Sequence, residues 1–265
     1  MRLKEQLKEL VPSSRWTSLS NHFEVIGDIA IIKIPPELED DKHLIAETIR
    51  DQRRNIKTVL NKTTKREGEG RCARYEVLAG NSTVTVYREF GCRYRMDLSE
   101  VFFTSRLAYE RYRVTSMVEP GERVLIPFCG VGPYAIPAAV RGAWTVAVEK
   151  SPPACRWLAE NARRNGVSDR IAIIKGDAFR IPDMLRCRFD RAIIPTPYGR
   201  DDILSILSPC VVPGGTVHFT TFKKAHQIAG LVDAFRNMGF APDLYRRCGN
   251  VAPGVSRWVF DLRKM

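Results

Sequence analysis

The spacing of apolar positions along the chain changes character near residue 99. Ahead of that point, Phe23-Glu24-Val25-Ile26 and Ile29-Ala30-Ile31-Ile32 flank Gly27-Asp28. A two-residue turn signal between two strand-like runs predicts a hairpin. A short polar helix over Arg2–Leu10 precedes it, and a helix from about Leu38 to Arg53 follows. Beyond a basic linker, strands are expected over Arg74–Leu78 and Thr83–Arg88, where Thr83-Val84-Thr85-Val86-Tyr87 alternates with the period of a half-buried strand. These elements amount to a small α+β domain over residues 1–98.

From Ser99 onward short apolar runs alternate with helical stretches. Strands are expected at Arg123–Ile126, Thr145–Val148, Ile171–Ile174, Arg191–Ile194 and Thr216–Phe219. Helices are expected from the glycine turn to Arg141, over Pro152–Asn165, near Asp201–Leu207 and over Lys223–Met238. This alternation predicts an α/β fold with a doubly wound, mostly parallel sheet over residues 99–265. A last strand over Ser256–Leu262, after a turn at Pro253-Gly254, can run antiparallel.

Charge adds a partner class to this picture. The formal net charge is +12, and residues 50–95 carry twelve basic against five acidic side chains. A surplus so concentrated favours a polyanion such as RNA, the alternative being a solvated basic surface. No run approaches the length of a membrane span and the N-terminus lacks a signal-peptide core, so a cytoplasmic protein with no membrane partner is expected. The seven cysteines stand singly, with no CxxC pair and no His at ligand spacing, so neither a metal nor a disulfide framework is indicated.

The chemistry concentrates where the first strand of the larger domain ends. There Phe128-Cys129-Gly130-Val131-Gly132-Pro133 turns into a helix, which aims backbone N–H groups at whatever occupies the turn. Glu149 closes the second strand seventeen residues beyond Gly132, where a carboxylate can accept from both hydroxyls of a ribose. Asp177, in Gly176-Asp177-Ala178 after the third strand, can meet an adenine amino group or simply cap a helix. Gly130-x-Gly132-x-x-Ala135 also satisfies the dinucleotide fingerprint, so a nicotinamide-dependent oxidoreductase stays open on these residues alone.

Further motifs carry a family resemblance. Phe103-Thr104-Ser105-Arg106-Leu107-Ala108-Tyr109-Glu110-Arg111 is similar to an F-S-P-R-L-x-x-E-R segment, and Cys129-Gly130-Val131-Gly132-Pro133-Tyr134 to A-G-V-G-P-F. Glu67-Gly68-Glu69-Gly70-Arg71, Leu78-Ala79-Gly80 and Ala252-Pro253-Gly254 extend the match from about Glu24 to the end of the chain. The sequence thus resembles the archaeal and eukaryotic family that methylates N1 of the guanosine just 3′ of the tRNA anticodon. It also resembles the sister family that transfers an aminocarboxypropyl group in wybutosine synthesis. The resemblance implies a Rossmann-like class I methyltransferase sheet, S-adenosyl-L-methionine as cofactor and tRNA as substrate. It implies that Thr104, Arg106, Arg111, Phe128, Gly130, Gly132, Glu149, Lys150, Asp177, Ala178 and Pro195 surround the cofactor. Glu110, with Arg106 and Pro197, would serve catalysis, Glu110 taking the guanine N1 proton; Arg71 and Arg74 would contact RNA. On the residues alone, Glu110 and Arg111 equally read as an exposed charged pair on a helix.

Between the sister reactions, Arg106 and Gly132-Pro133-Tyr134 are more like the methyltransferases. Glu149-Lys150, and the lack of an additional N-terminal tRNA-binding domain, are more like the aminocarboxypropyl transferases. Two departures stand out. Ile126-Pro127 replaces an Asp followed by an apolar residue, and Pro195-Thr196-Pro197 replaces Asn-Leu-Pro. The first removes a carboxylate and the second an amide, and proline also lacks an N–H. The expected activity is methyl transfer to RNA; an RNA-binding protein that keeps the cofactor without catalysis is the competing class.

Overall fold

The computed structural model describes residues 19–64 and 73–265, which form two compact units, Met1–Ser105 and Arg106–Met265. The expected Arg2–Leu10 helix and the Arg71 contact lie outside the described residues.

In the first unit, β1 (Glu24–Ile26) and β2 (Ile29–Ile32) pair antiparallel around Gly27, whose φ of 60° suits glycine. Helix α1 (Lys42–Gln52) buries Ile45, Ala46 and Ile49 and leads into β3 (Thr58–Lys62), which pairs parallel with β2. The stretch expected to be a basic linker therefore contains a strand. Its lysines flank a buried Thr58-Val59-Leu60-Asn61 run too short to show a period. β4 (Tyr75–Ala79) completes a sheet of order β1-β2-β3-β4. A separate hairpin joins β5 (Val84–Glu89) to β6 (Cys92–Asp97), a strand additional to those expected. In β6, Cys92, Tyr94 and Met96 are buried while Arg93 and Arg95 alternate with them.

The second unit opens with α2 (Ala108–Ser116) and builds one seven-stranded sheet. Its strands are β7 (Arg123–Pro127), β8 (Trp144–Glu149), β9 (Ile171–Lys175), β10 (Phe189–Ile194), β11 (Val211–Lys223), β12 (Phe240–Ala252) and β13 (Val255–Lys264). Their order is β12-β13-β11-β10-β7-β8-β9. The strands β9, β8, β7, β10 and β11 run parallel, and β13 lies antiparallel between β11 and β12. The parallel strands are linked by α3 (Ala135–Val140), α4 (Pro152–Arg164), α5 (Ile181–Met184) and α6 (Ile203–Leu207), and α7 (Ile228–Asn237) precedes β12. β12 is a strand beyond those expected: its Arg-rich run is half exposed and pairs irregularly, which hides the alternation. Phe189, Phe219, Phe235, Phe240 and Phe260 fill the core around β10, β11 and α7. No helix among the described residues is long and apolar enough to cross a membrane.

Candidate cofactor and substrate site

Strand order reverses between β7 and β10, and a reversal of this kind opens a crevice beyond the carboxyl ends of the two strands. The register shows the opening. β7 and β10 pair only at Val124–Arg191 and Leu125–Ala192, yet β7 runs on to Pro127 and β10 to Ile194. Pro127 stays in register with Val148 of β8 beyond the end of the pairing with β10. Pro127 thus stands at the end of its strand, where the sheet has parted on one side, the kind of position at which an interior strand tolerates proline.

The glycine turn follows directly. Phe128, Gly130 and Gly132 have φ of 52°, 55° and 96°. A left-handed Phe128 costs on the order of 1–2 kcal/mol, a strain typical of ligand-holding turns. Its ring packs edge-on against Phe179, 6.1 Å between centroids. Gly132 N–H donates to the Cys129 carbonyl, and Ile136 N–H to the Gly132 carbonyl, closing the turn onto α3. The expected helix to Arg141 is six residues long, so backbone amides of the turn matter more here than a long helix dipole. Buried Asn161 of α4 donates to the Val131 carbonyl (3.2 Å) and ties the turn to the neighbouring helix. Asn161 was not among the expected site residues, although a lone amide on the Ala154, Leu158 and Ala162 stripe is the signal for it.

Glu149 is built into this turn. Its carboxylate accepts from Gly130 N–H and from Ser151 N–H, both at 2.9 Å. A carboxylate has about four accepting directions, so two remain for a ligand. Asp177 caps its 3₁₀ turn by accepting from Phe179 N–H (3.0 Å), and its second oxygen lies 3.6 Å from the Lys150 ammonium. Capping is thus shown, and Ala178 behind it is buried. Burial, with Glu149 adding, pushes the Cys129 thiol well above its usual range, which leaves it poorly suited to act as a nucleophile.

On the other side of the crevice, Pro195 and Pro197 are half-buried and Thr196 is buried, with Thr196 N–H turned back to the Ile194 carbonyl (2.9 Å). Arg106 is exposed in the turn before α2. Thr104 belongs to the first unit, where its hydroxyl meets Glu24 at 3.3 Å, and Arg74 of the same unit is exposed.

Glu110 and Arg111 are each 3% exposed, so the exposed-pair reading is overturned. The Glu110 carboxylate receives the Arg113 guanidinium (2.7 Å) and that of Arg246 from β12. Arg113 also spans to Asp261 (2.6 and 3.0 Å), Asp261 binds His218 Nδ1 (2.6 Å), and His218 Nε2 meets Arg191 (2.7 Å). Arg191 ends the chain on the Glu122 carboxylate, both contacts at 2.8 Å. Because arginine only donates, His218 Nε2 must accept, and the ring is neutral with its proton on Nδ1. Burial, reinforced by the positive charges of Arg191 and Arg113, lowers its basicity despite Asp261. Against the opposing cost of burial, hydrogen bonds from His218 and Arg113 hold the Asp261 carboxyl well below the usual range. Tyr134, which opens α3, is held above its ordinary value by burial; Arg111 opposes the shift and Glu110 adds to it. Arg113, Arg246, Asp261 and His218 are partners that sequence reading missed, because most are far away in the chain and only the i,i+3 spacing of Arg113 signals one of them.

Comparison with known proteins bears on the family and the fold. Residues 85–238 match the TRM5/TYW2 methyltransferase domain, and residues 3–83 match the TYW2 N-terminal domain. The chain is 36% identical over 213 residues to the tRNA (guanine(37)-N(1))-methyltransferase Trm5b of Pyrococcus abyssi, covering 80% of this chain and 63% of that protein. It is also 36% identical over 177 residues to the tRNA(Phe) (4-demethylwyosine(37)-C(7)) aminocarboxypropyltransferase of Pyrococcus horikoshii, covering 66% and 63%. The chain thus spans a little under two thirds of both curated relatives. The crystal structure of P. abyssi Trm5b superposes with a TM-score of 0.85 at 32% identity, covering 96% of this chain and 78% of that one. P. horikoshii TYW2 in complex with MeSAdo superposes with a TM-score of 0.80 at 27% identity, covering 98% and 97%. The fold is that of a class I methyltransferase, and the chain belongs to the TRM5/TYW2 methyltransferase family.

Proposed function

We propose that the protein is an S-adenosylmethionine-dependent tRNA-modifying enzyme of the cytoplasm, transferring a methyl group to guanine N1 beside the anticodon. The observation that carries this reading is the parted β7–β10 edge, with Glu149 fastened to Gly130 on one side and the Pro195–Pro197 segment on the other. The residues present fit the cofactor. Glu149 keeps two accepting directions for ribose hydroxyls, and among the described residues nothing lies within 4 Å of the missing Cβ of Gly130, which leaves the turn open to a ligand. When bound, S-adenosylmethionine supplies an electrophilic carbon on a sulfonium.

The rest of the task falls to the chain. Glu149 and Asp177 orient the nucleoside end, while Phe128, Gly132, Ala178, Lys150, Arg111 and Arg106 of the same unit complete the cofactor surroundings. Pro195 and Pro197 shape the base side. Guanine N1 carries a proton at neutral pH, and its removal makes the nitrogen nucleophilic; Glu110 is the carboxylate we assign to take it. Both Glu110 oxygens are engaged by guanidinium groups, so accepting that proton requires Arg246 to give way. RNA binding is assigned to residues 1–98, including Arg71 and Arg74. A groove of about 760 Å³ within the first unit, lined in part by Lys57, Arg88 and Arg95, supports it.

The sister reaction, aminocarboxypropyl transfer, is favoured by the TYW2 N-terminal domain match over residues 3–83. The by-product separates the two: methyl transfer leaves S-adenosylhomocysteine, whereas aminocarboxypropyl transfer leaves methylthioadenosine. Calorimetric titration with S-adenosylmethionine and with NAD, followed by chromatography of the products formed with undermodified tRNA, tests the reading. Binding of S-adenosylmethionine and release of S-adenosylhomocysteine are expected; binding of NAD alone, or no turnover with any tRNA, would overturn it.

A further inference from the structure

The crevice lies at the carboxyl ends of the parallel strands, and their amino ends carry a second cavity. Arg123, Trp144 and Phe189 are the first residues of β7, β8 and β10, and Asp169 and Arg170 sit in the turn that leads into β9. With Val146 they line a cavity of about 280 Å³. From Trp144 to Glu149 is the whole length of β8, roughly 16 Å at about 3.3 Å per residue. The cavity is therefore separate from the crevice that Glu149 borders.

Interior strands of a parallel sheet are ordinarily covered on both faces. Trp144 is instead 52% exposed. The Arg170 guanidinium lies 5.3 Å from the centre of the Trp144 ring and is held in place by donating to the Gly142 carbonyl (3.2 Å). The Arg123 guanidinium lies 5.7 Å from the centre of the Phe189 ring, while its backbone N–H donates to Asp190 (2.8 Å). Among the described residues neither guanidinium takes part in an ion pair. Two positive charges and a large aromatic face thus meet at one cavity, with the exposed Asp169 carboxylate beside them.

These groups have complementary partners in one kind of ligand. An indole face stacks on a nucleobase, guanidinium groups bind phosphate, and a carboxylate accepts from amino or imino N–H groups on the edge of a base. The volume is near the lower end for small-molecule sites, about 300 Å³, which gives room for one base and not for a stretch of strand. An aliphatic ligand would leave both guanidinium groups and Asp169 unmatched. We propose that this cavity binds a single nucleotide, with its base against Trp144, its phosphate on Arg123 and Arg170, and the edge of the base on Asp169. A free nucleotide and one unpaired residue of an RNA strand present the same groups. The site does not depend on which reaction the crevice performs.

The test uses the full chain saturated with S-adenosylmethionine, so that the crevice is filled. One arm titrates it with GMP by calorimetry. The other crosslinks it to an octaribonucleotide containing 4-thiouridine and maps the adducts by mass spectrometry. Binding of GMP, or an adduct on the peptide containing Trp144, is the result expected; the first identifies a mononucleotide site and the second a contact with a strand. Trp144→Ala should weaken GMP binding about tenfold or remove that adduct, Trp144→Phe should retain most of either signal, and Arg123→Gln should weaken both. Urea midpoints and affinity for S-adenosylmethionine, expected to be unchanged in the Trp144→Phe and Arg123→Gln variants, control for folding. No GMP binding together with no adduct at Trp144, or signals undiminished in Trp144→Ala, would overturn the proposal.

Discussion

Glu149 has its geometry fixed by the backbone before any ligand arrives, because two main-chain N–H groups hold its oxygens. A charge-assisted hydrogen bond is worth about 1.5–3 kcal/mol, so replacing the carboxylate by an amide should cost a tenfold to hundredfold loss in cofactor affinity. Glu149→Gln tested by calorimetry should show that loss; unchanged affinity would mean that the carboxylate serves only the turn. Glu110→Gln should lower kcat much more than it changes KM for tRNA, measured by steady-state transfer. Glu149 was legible in the sequence because a strand end and a fixed interval from the glycine turn mark it. The partners of Glu110 were not legible, since Arg246 lies 136 residues away from it and Asp261 lies 148 from Arg113. Only the antiparallel strands β12 and β13 bring them together, and that pairing has no local signature.

At the scale of the element, the glycine turn separates two reasons for using glycine. Gly130 has open space where a side chain would stand, whereas a Cβ on Gly132 would lie 2.4 Å from Leu158 Cδ1 of α4. Gly130→Ala should therefore cost about 1 kcal/mol of stability, the price of its left-handed backbone, while obstructing the cofactor. Gly132→Ala should destabilise by more than that, since the buried side chains of Leu158 and Ile136 would have to move as well. Urea denaturation and cofactor titration of both variants check this, and equal losses of stability would contradict it. The parallel core strands, most of the helices and the turn itself were readable from hydrophobic spacing. β3, β6 and β12 were missed because basic residues interrupt or flank their apolar positions, and charge there reads as loop until a sheet partner is known.

Across the whole molecule, the chain of side chains from Glu122 through Arg191, His218, Asp261 and Arg113 to Glu110 joins β10, β11 and β13 to α2. It gives global stability a defined pH dependence. His218 is less basic when folded than the ordinary value of about 6.5, so below that pH the unfolded chain takes up a proton that the folded protein refuses. Stability is therefore fully present above about pH 6.5 and falls on acidification, by at most about 1.4 kcal/mol per pH unit from this group. Urea midpoints at pH 7.5 and 5.5 should show the fall, and His218→Gln should reduce it even if that variant is less stable throughout. Asp261 acts with the same sign further down, its contribution being lost as pH falls below the ordinary carboxylate value of about 3.9.

The charge surplus also acts on this scale. RNA affinity should fall with added salt, with a logarithmic slope of about −0.7 for each single-strand phosphate neutralised. Replacing Arg88 and Arg95 together by Gln should make that slope shallower while leaving cofactor affinity unchanged. The central claim is that a class I methyltransferase crevice, with Glu149 on one side and Pro195–Pro197 on the other, modifies tRNA. Mass spectrometry of nucleosides from undermodified tRNA incubated with the protein and S-adenosylmethionine tests it most directly. A guanosine heavier by one methyl group, formed by the wild type and formed more slowly by Glu149→Gln at limiting cofactor, is the result expected; tRNA nucleosides left unchanged by a protein that binds the cofactor would contradict it.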